Sequence, residues 1–148
     1  MTGWETGAIV AGGLFTSGVL YFALMRVPRW RAMEIRSFLP DFARTINVAD
    51  KVQPTLLLAT IISVSMLARS IDGTSQVLAV TAITGFTLTL VGSLAFLVPL
   101  QRRMIRLGPE PSSRLVPMRA RWIKGHLGRA SLAAASFALL VLAVLSAG

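Results

Sequence analysis

Four apolar blocks without a charged residue constrain this sequence more than any other feature. They cover residues 7–25, 54–68, 77–98 and 130–147. About 18 residues of α-helix span about 27 Å, close to the hydrocarbon thickness of a bilayer, roughly 30 Å. The pattern therefore predicts one domain, residues 1–148, that crosses a membrane four times.

The composition favours the same class of protein. Hydrophobic residues make up 54% of the 148 residues and charged residues 14%, whereas roughly 25% of a typical soluble domain is charged. The chain has no cysteine, which excludes a secreted disulfide scaffold, and the apolar content excludes a disordered tail or an ordinary soluble enzyme. The predicted fold class is all-α: a polytopic membrane protein with a bundle of four transmembrane helices.

The basic residues predict the orientation of the bundle. Of the 15 Lys and Arg residues, six lie between the first two blocks, one in the second connection and eight in the third, with none at either terminus. Because cytoplasmic loops carry the excess of Lys and Arg, both termini are expected outside and both long connections in the cytoplasm. The net charge of +9 is then expected to meet anionic lipid headgroups rather than nucleic acid.

The first long connection is predicted to be amphipathic. Residues 29–50 place apolar side chains roughly at helical spacing between charged ones, and Pro40 is expected to divide the segment into two short helices that lie in the cytoplasmic interface. The second block is short, so its helix is expected to begin upstream, within residues 42–53, with Pro54 as a kink or a first-turn residue. Residues 107–117 read as a loop because they contain Pro, Gly and Ser.

Small residues recur four apart in three of the blocks, which is the spacing that lets transmembrane helices approach closely. The pattern is interpreted as helix packing, with the wall of a narrow polar cavity as the alternative. The stripes are Ala8, Gly12 and Thr16; Thr81, Gly85, Thr89 and Ser93; and Ala130, Ala134 and Ala138.

One group of residues carries acid–base chemistry. Trp122, His126 and Arg129 are spaced i, i+4 and i+7 where the last connection enters the fourth block, so they share one helix face. A neutral imidazole can accept a proton, and a neighbouring guanidinium can stabilise an oxyanion. The alternative is that all three are residues of the membrane interface. One histidine without cysteine does not make a typical zinc or copper site, and no metal or other cofactor is expected.

The same residues resemble a known family. A span that ends in VPLQRR, residues 98–103, followed by a loop and then by RWIKGHLGRA, residues 121–130, is similar to the anthrone-oxygenase-like family of small integral membrane proteins, most of which have no assigned function. Gln101 stands where related chains usually have Asn, and Ala130 where they often have Thr.

The resemblance implies oxidation of an anthrone to a quinone by molecular oxygen, without a metal. His126 would remove the benzylic proton, Arg129 would stabilise the enolate oxygen, and Trp122 would stack on the aromatic rings. Gln101 would hydrogen-bond a phenol of this hydrophobic substrate. The other residues expected at the substrate are Pro99, Thr89 and Ser93.

A second hypothesis is a non-catalytic membrane subunit whose Arg-rich loops dock a protein partner, another copy of the chain or anionic lipid. A cavity lined by His126 would favour the enzyme, and a packed interior with His126 in the headgroup zone would favour the subunit. A transporter is disfavoured because no ionisable residue is expected in the middle of the membrane. The preference for Arg over Lys suggests a bacterial genome rich in G and C, and hence a bacterial plasma membrane.

Overall fold

The computed structural model describes residues 2–108 and 112–148, and every regular element in them is helical. The helices are α1 (Gly3–Tyr21), α2 (Val27–Ala32), α3 (Ile35–Ala68), α4 (Gly73–Gly92), α5 (Val98–Leu107) and α6 (Ser112–Ala147), with single π-helical turns at Phe22–Arg26 and Ser93–Leu97. Counted across the π turns, four helices are long and apolar enough to cross a membrane: Gly3–Ala32, Ile35–Ala68, Gly73–Leu107 and Ser113–Ala147. The all-α class with four membrane-spanning helices is confirmed.

The long helices pack as two antiparallel pairs, α1 with α3 and α4 with α6. Antiparallel packing within the first pair is evident at its glycines, since Gly7 lies against Ser63 and Gly18 against Gln53. The pairs join through contacts of α1 with α6 and of α3 with α4. This arrangement brings the Arg-rich connections to one end of the bundle.

The core has two parts that lie at different levels of the bundle. One consists of side chains from the apolar blocks, with Phe15, Leu57, Phe86 and Leu140 among the fully buried ones. The other lies toward the Arg-rich end and is strongly aromatic. Its largest members are Phe22, Trp30, Phe38, Phe42 and Trp122.

The expected break at Pro40 is wrong, because α3 continues through both Pro40 and Pro54 from Ile35 to Ala68. A proline inside a helix removes one backbone hydrogen bond and costs about 3 kcal/mol. Phe38 and Phe42, which flank Pro40, are fully buried against other helices. We attribute the continuity of the helix to this burial, so the apolar side of the segment faces protein rather than the membrane interface.

The expected loop at residues 107–117 is also corrected. Residues 109–111 lie outside the described residues, but α6 has already begun at Ser112 and passes through Pro117. Leu115 is fully buried in the aromatic part of the core. The proline and serine content therefore marks the start of a helix rather than an extended loop.

The small-residue stripes follow the packing interpretation only in part. Ala8, Gly12 and Thr16 are all buried, as a stripe facing other helices requires. On α4, Thr81 is exposed while Gly85 packs against Ser136 of α6. The buried line on α6 is not the alanine stripe beyond its first member, because it runs through Ala130, Ala133, Ser136, Leu140 and Ala143.

The two halves of the chain repeat the same order of elements. Each begins with a helix of similar length, 19 and 20 residues, then a π turn and a Val-Pro pair. In each π turn the N–H of the following valine bonds five residues back, Val27 to Phe22 and Val98 to Ser93. Each half then ends in a long helix that contains Pro-x-x-Ala-Arg, at residues 40–44 and 117–121. The chain is thus built from two parallel repeats, each one helical hairpin.

Candidate functional site

His126 and Trp122 lie on the buried face of α6, each only 2% exposed. Their spacing of four residues stacks the two rings, with centroids 5.0 Å apart and planes within 8°. Phe22, at the start of the first π turn, contacts the imidazole at 5.9 Å between ring centroids. The predicted common face of Trp122 and His126 therefore exists, and it points into the bundle.

The hydrogen bond of His126 defines its tautomer. The Nε2 atom lies 3.2 Å from the carbonyl oxygen of Val19 on α1. A carbonyl oxygen only accepts, so Nε2 carries a proton and the neutral ring has its lone pair on Nδ1. That Nδ1 is buried and has no hydrogen-bond partner among residues 2–108 and 112–148. The ring is thus held by one nitrogen and offers the other as a base.

Trp122 packs with two other aromatic rings besides the imidazole stacked on it. Its centroid lies 4.9 Å from that of Phe42 and 5.7 Å from that of Trp30, both nearly edge-on. These contacts fix the indole, which in turn fixes one face of His126. The expectation that Trp122 stacks on a substrate requires a ligand to reach the indole through this cluster.

Arg129 lies one turn further along α6 and reaches between α1 and α3. Its Nη2 donates to Oε1 of Gln53 at 2.8 Å, and its guanidinium carbon lies 5.6 Å from the ring centroid of Phe15. Its Nε is buried without a hydrogen-bond partner in the part of the chain that the structure describes. A cation held over an aromatic ring with a free N–H is able to stabilise an anion.

Gln101 is 4% exposed and does not point to open space. Its Nε2 donates to Oδ2 of Asp50 at 2.8 Å, which joins α5 to α3. Asp50 and Gln53 are three residues apart, so they lie on the same face of α3. Asp50 accepts the hydrogen bond from Gln101 of α5, and Gln53 accepts the one from Arg129 of α6. The structure therefore links Gln101 and Arg129 to neighbouring turns of α3.

The remaining predicted substrate residues fall into two places. Thr89 and Ser93 are buried and donate their hydroxyls to the carbonyls of Gly85 and Thr89, at 2.9 and 2.6 Å. Both line an apolar pocket of about 220 Å³ that Arg129 also lines. Pro99 is exposed and lines a different pocket, with Arg103 and Lys124.

Sequence reasoning missed Val19, Phe22, Asp50 and Gln53. Asp50 and Gln53 carried a signal, since two polar residues one turn apart directly before an apolar block can both face a bundle interior. Val19 and Phe22 carried none, because they are ordinary apolar residues of the first span.

The pockets beside this site do not include His126 in their lining. One of them lies between α1 and α3, with a volume of about 500 Å³, and is lined by Phe22 and Gln53 among others. These two residues contact His126 and Arg129. Within residues 2–108 and 112–148, no three His, Cys, Asp or Glu side chains are grouped as metal ligands would be.

Comparison with known proteins identifies one family. The anthrone oxygenase family model matches residues 42–139, about two thirds of the chain. The match covers α4, α5, most of α3 and α6, and with them Asp50, Gln53, Gln101, His126 and Arg129. No curated protein and no solved structure matches the chain.

Proposed function

Since the chain belongs to the anthrone oxygenase family, we propose that it oxidises an anthrone-like aromatic to a quinone with molecular oxygen, with His126 as the base. One observation carries the proposal. The imidazole is anchored through Nε2 on the Val19 carbonyl and keeps a buried, unpartnered Nδ1 among the described residues. A general base needs a lone pair held in a fixed place, and this is the arrangement that supplies one.

The reaction begins with transfer of a proton from the benzylic methylene of the substrate to Nδ1 of His126. The electron pair left on carbon is delocalised into the ring carbonyl, which becomes an enolate oxygen. Electron transfer to molecular oxygen and C–O bond formation then give a peroxide anion, which takes the proton back from the imidazolium. Loss of the second methylene proton and of hydroxide, together one water, leaves the quinone carbonyl.

Arg129 is proposed to stabilise the enolate oxygen. Its Nε has no hydrogen-bond partner in the described part of the chain, while Gln53 holds Nη2. A guanidinium that is already oriented by one partner needs little reorganisation to bind an anion. Gln101 is proposed to bind a phenol of the substrate through its amide oxygen, because its amide nitrogen is engaged with Asp50. Trp122 is proposed to hold the imidazole plane and, through the aromatic cluster, the substrate rings.

Oxygen uptake by the purified protein with a hydroxyanthrone tests the proposal. His126→Ala is expected to reduce the enzymatic rate above the spontaneous background about 100-fold or more, as loss of a general base does. Lys124→Ala, an exposed position on the same helix, is the matched control and should retain the rate. Thermal unfolding and size-exclusion profiles establish that both variants fold. Full activity of a folded His126→Ala protein would contradict the proposal.

The second candidate function, a non-catalytic subunit, has one observation in its favour. His126 is packed between Trp122 and Phe22 and is absent from the lining of the neighbouring pockets. In that case Trp122, His126 and Arg129 would fasten α6 to α1 and α3, and the Arg-rich end would bind a partner or anionic lipid. Wild-type oxygen uptake no faster than the spontaneous rate, together with copurification of a defined membrane complex, would favour the subunit.

We also propose that the protein lies in a bacterial plasma membrane. The preference of the sequence for Arg over Lys supports this location.

A further inference from the structure

The groove between α1 and α3 has walls suited to a flat apolar molecule. It has a volume of about 500 Å³, within the range of roughly 300–1,000 Å³ typical of small-molecule sites. Its lining includes the small residues Gly18 and Ala49 and the aromatic residues Tyr21 and Phe22. Aliphatic residues of α3 such as Val52 also line it.

The arginines of the groove lie at one of its ends. Arg26, Arg44 and Thr45 line the end that faces the Arg-rich side of the bundle, because α1 and α3 are antiparallel. Arg26 also pairs with Asp41, with 3.7 Å between Nη1 and Oδ2. Among the described residues, neither Asp nor Glu lines the groove itself. An aromatic ligand with an anionic edge matches this distribution, with the rings in the apolar part and the anion at the arginines.

The groove adjoins the site around His126 at two points. Phe22 is part of its lining and separates it from the imidazole, with ring centroids 5.9 Å apart. Gln53 is also part of its lining and accepts the hydrogen bond of Arg129. Phe22 begins a π turn, an element that is frequent at functional sites, and its ring contacts both the groove and His126.

We infer that this groove is the binding site of the substrate, a fused aromatic with a carboxylate or phenolate edge, and that Phe22 is the gate between the groove and His126. The inference rests on the proposed function for the identity of the substrate. It adds where the substrate binds, which chemical feature is recognised and from which side it enters. Val48 and Val52 are 62% and 52% exposed on the outer surface of the bundle, so the groove is open to a hydrophobic substrate that partitions into the membrane.

Binding of anthraquinone-2-carboxylate, which resembles the product and is not turned over, tests the inference directly. Val52→Trp fills the groove and is expected to weaken binding to the purified protein in nanodiscs about tenfold or more. Val91→Trp is the matched control, since Val91 is 55% exposed on α4 and lies outside this groove. Equal affinity of wild type and both variants would overturn the inference, as would displacement of the probe by phosphatidylglycerol, which would identify a lipid site.

The arginine end is tested by comparing the carboxylate with unsubstituted anthraquinone. Arg44→Gln is expected to weaken binding of the carboxylate about tenfold, which is the effect of losing a charge-assisted hydrogen bond. The affinity for neutral anthraquinone should not change. Arg106→Gln, at an exposed position of α5, controls for net charge. Equal losses for both ligands would contradict recognition of an anionic edge.

The same measurement with His126→Ala separates this inference from the proposed function. Binding should persist in that variant although turnover is lost. A wild-type protein that binds the probe in the groove but does not consume oxygen would contradict the proposed oxidation and leave the binding site standing. If the protein turns over the substrate and Val52→Trp does not raise the KM, the proposed oxidation is supported. The same result would contradict the proposal that the substrate binds in the groove.

Discussion

Among single residues, Gly85 is a site where side-chain size decides whether two helices fit. A Cβ added there would overlap Oγ of Ser136 and lie 3.1 Å from its Cβ. Gly85→Ala is therefore expected to destabilise the bundle by about 1–3 kcal/mol, the usual effect of overpacking. Thermal unfolding in detergent measures it as a lower melting temperature.

Gly92 is the matched control on the same helix, because a Cβ there would meet nothing within 4 Å. Gly92→Ala should be neutral or stabilise by up to about 1 kcal/mol through helix propensity. Adding Ser136→Gly to Gly85→Ala should restore most of the lost stability. Equal melting temperatures for Gly85→Ala and Gly92→Ala would contradict the close approach of α4 and α6.

How far single residues could be predicted depends on whether their partners lie on the same helix. Spacing alone predicted that Trp122 and His126 share a face, and the two rings are stacked. The partner that fixes the tautomer, Val19, is 107 residues away in the sequence, on α1. The spacing of neighbouring residues cannot predict a contact between residues so far apart. The same holds for Gln53 and Arg129, which meet only because α3 and α6 pack side by side in that register.

At the level of helices, Arg119 fastens the corner where α2 turns into α3. Its Nη1 donates to the carbonyls of Trp30 and Met33, at 3.0 and 2.7 Å, and its guanidinium lies 5.4 Å from the ring centroid of Phe38. The last carbonyls of a helix lack intrahelical partners, so a cation placed there both donates to them and opposes the helix dipole.

Arg119→Ala is expected to destabilise the fold by about 1.5–3 kcal/mol, the contribution of hydrogen bonds from a charged group. Arg121→Ala removes the same charge from an exposed position of the same helix and should change stability by less than about 0.5 kcal/mol. Chemical or thermal unfolding compares the two. A loss of equal size in both variants would show that charge, rather than the capped corner, is responsible.

The same corner explains why the first connection was predicted only in part. Hydrophobic periodicity correctly indicated helix on both sides of Pro40, with Phe38 and Phe42 on the apolar face. Periodicity does not distinguish a face that meets lipid from one that meets protein. The difference came from Leu115 and Trp122, which belong to the last helix and bury that face.

For the whole molecule, the two repeats share the same architecture, but only the second repeat contributes a histidine to the candidate site. Trp30 and Gln101 both stand two residues after the proline of the Val-Pro pair, and each donates to an aspartate of α3, Asp41 and Asp50 respectively. His126 has no histidine counterpart in the first half, which contains none. The span count followed directly from the apolar blocks, whereas the repeat is carried by short motifs and by π turns that composition does not reveal.

The orientation of the bundle remains a prediction that this architecture makes easy to test. Because the long helices alternate in direction, Ser70 after α3 and Ser146 at the end of α6 lie at one end, and Ser113 at the start of α6 lies at the other. Fourteen of the fifteen basic residues belong to the two connections at the Ser113 end, which the positive-inside rule assigns to the cytoplasm.

The chain has no cysteine, so Ser70→Cys, Ser113→Cys and Ser146→Cys each introduce a unique thiol at an exposed position. In intact cells a maleimide that does not cross membranes is expected to label Ser70→Cys and Ser146→Cys, and to label Ser113→Cys only after permeabilisation. Labelling of all three in detergent is the control for accessibility. The reverse pattern would place the arginine end of the groove, and with it Arg26 and Arg44, on the outer side of the membrane.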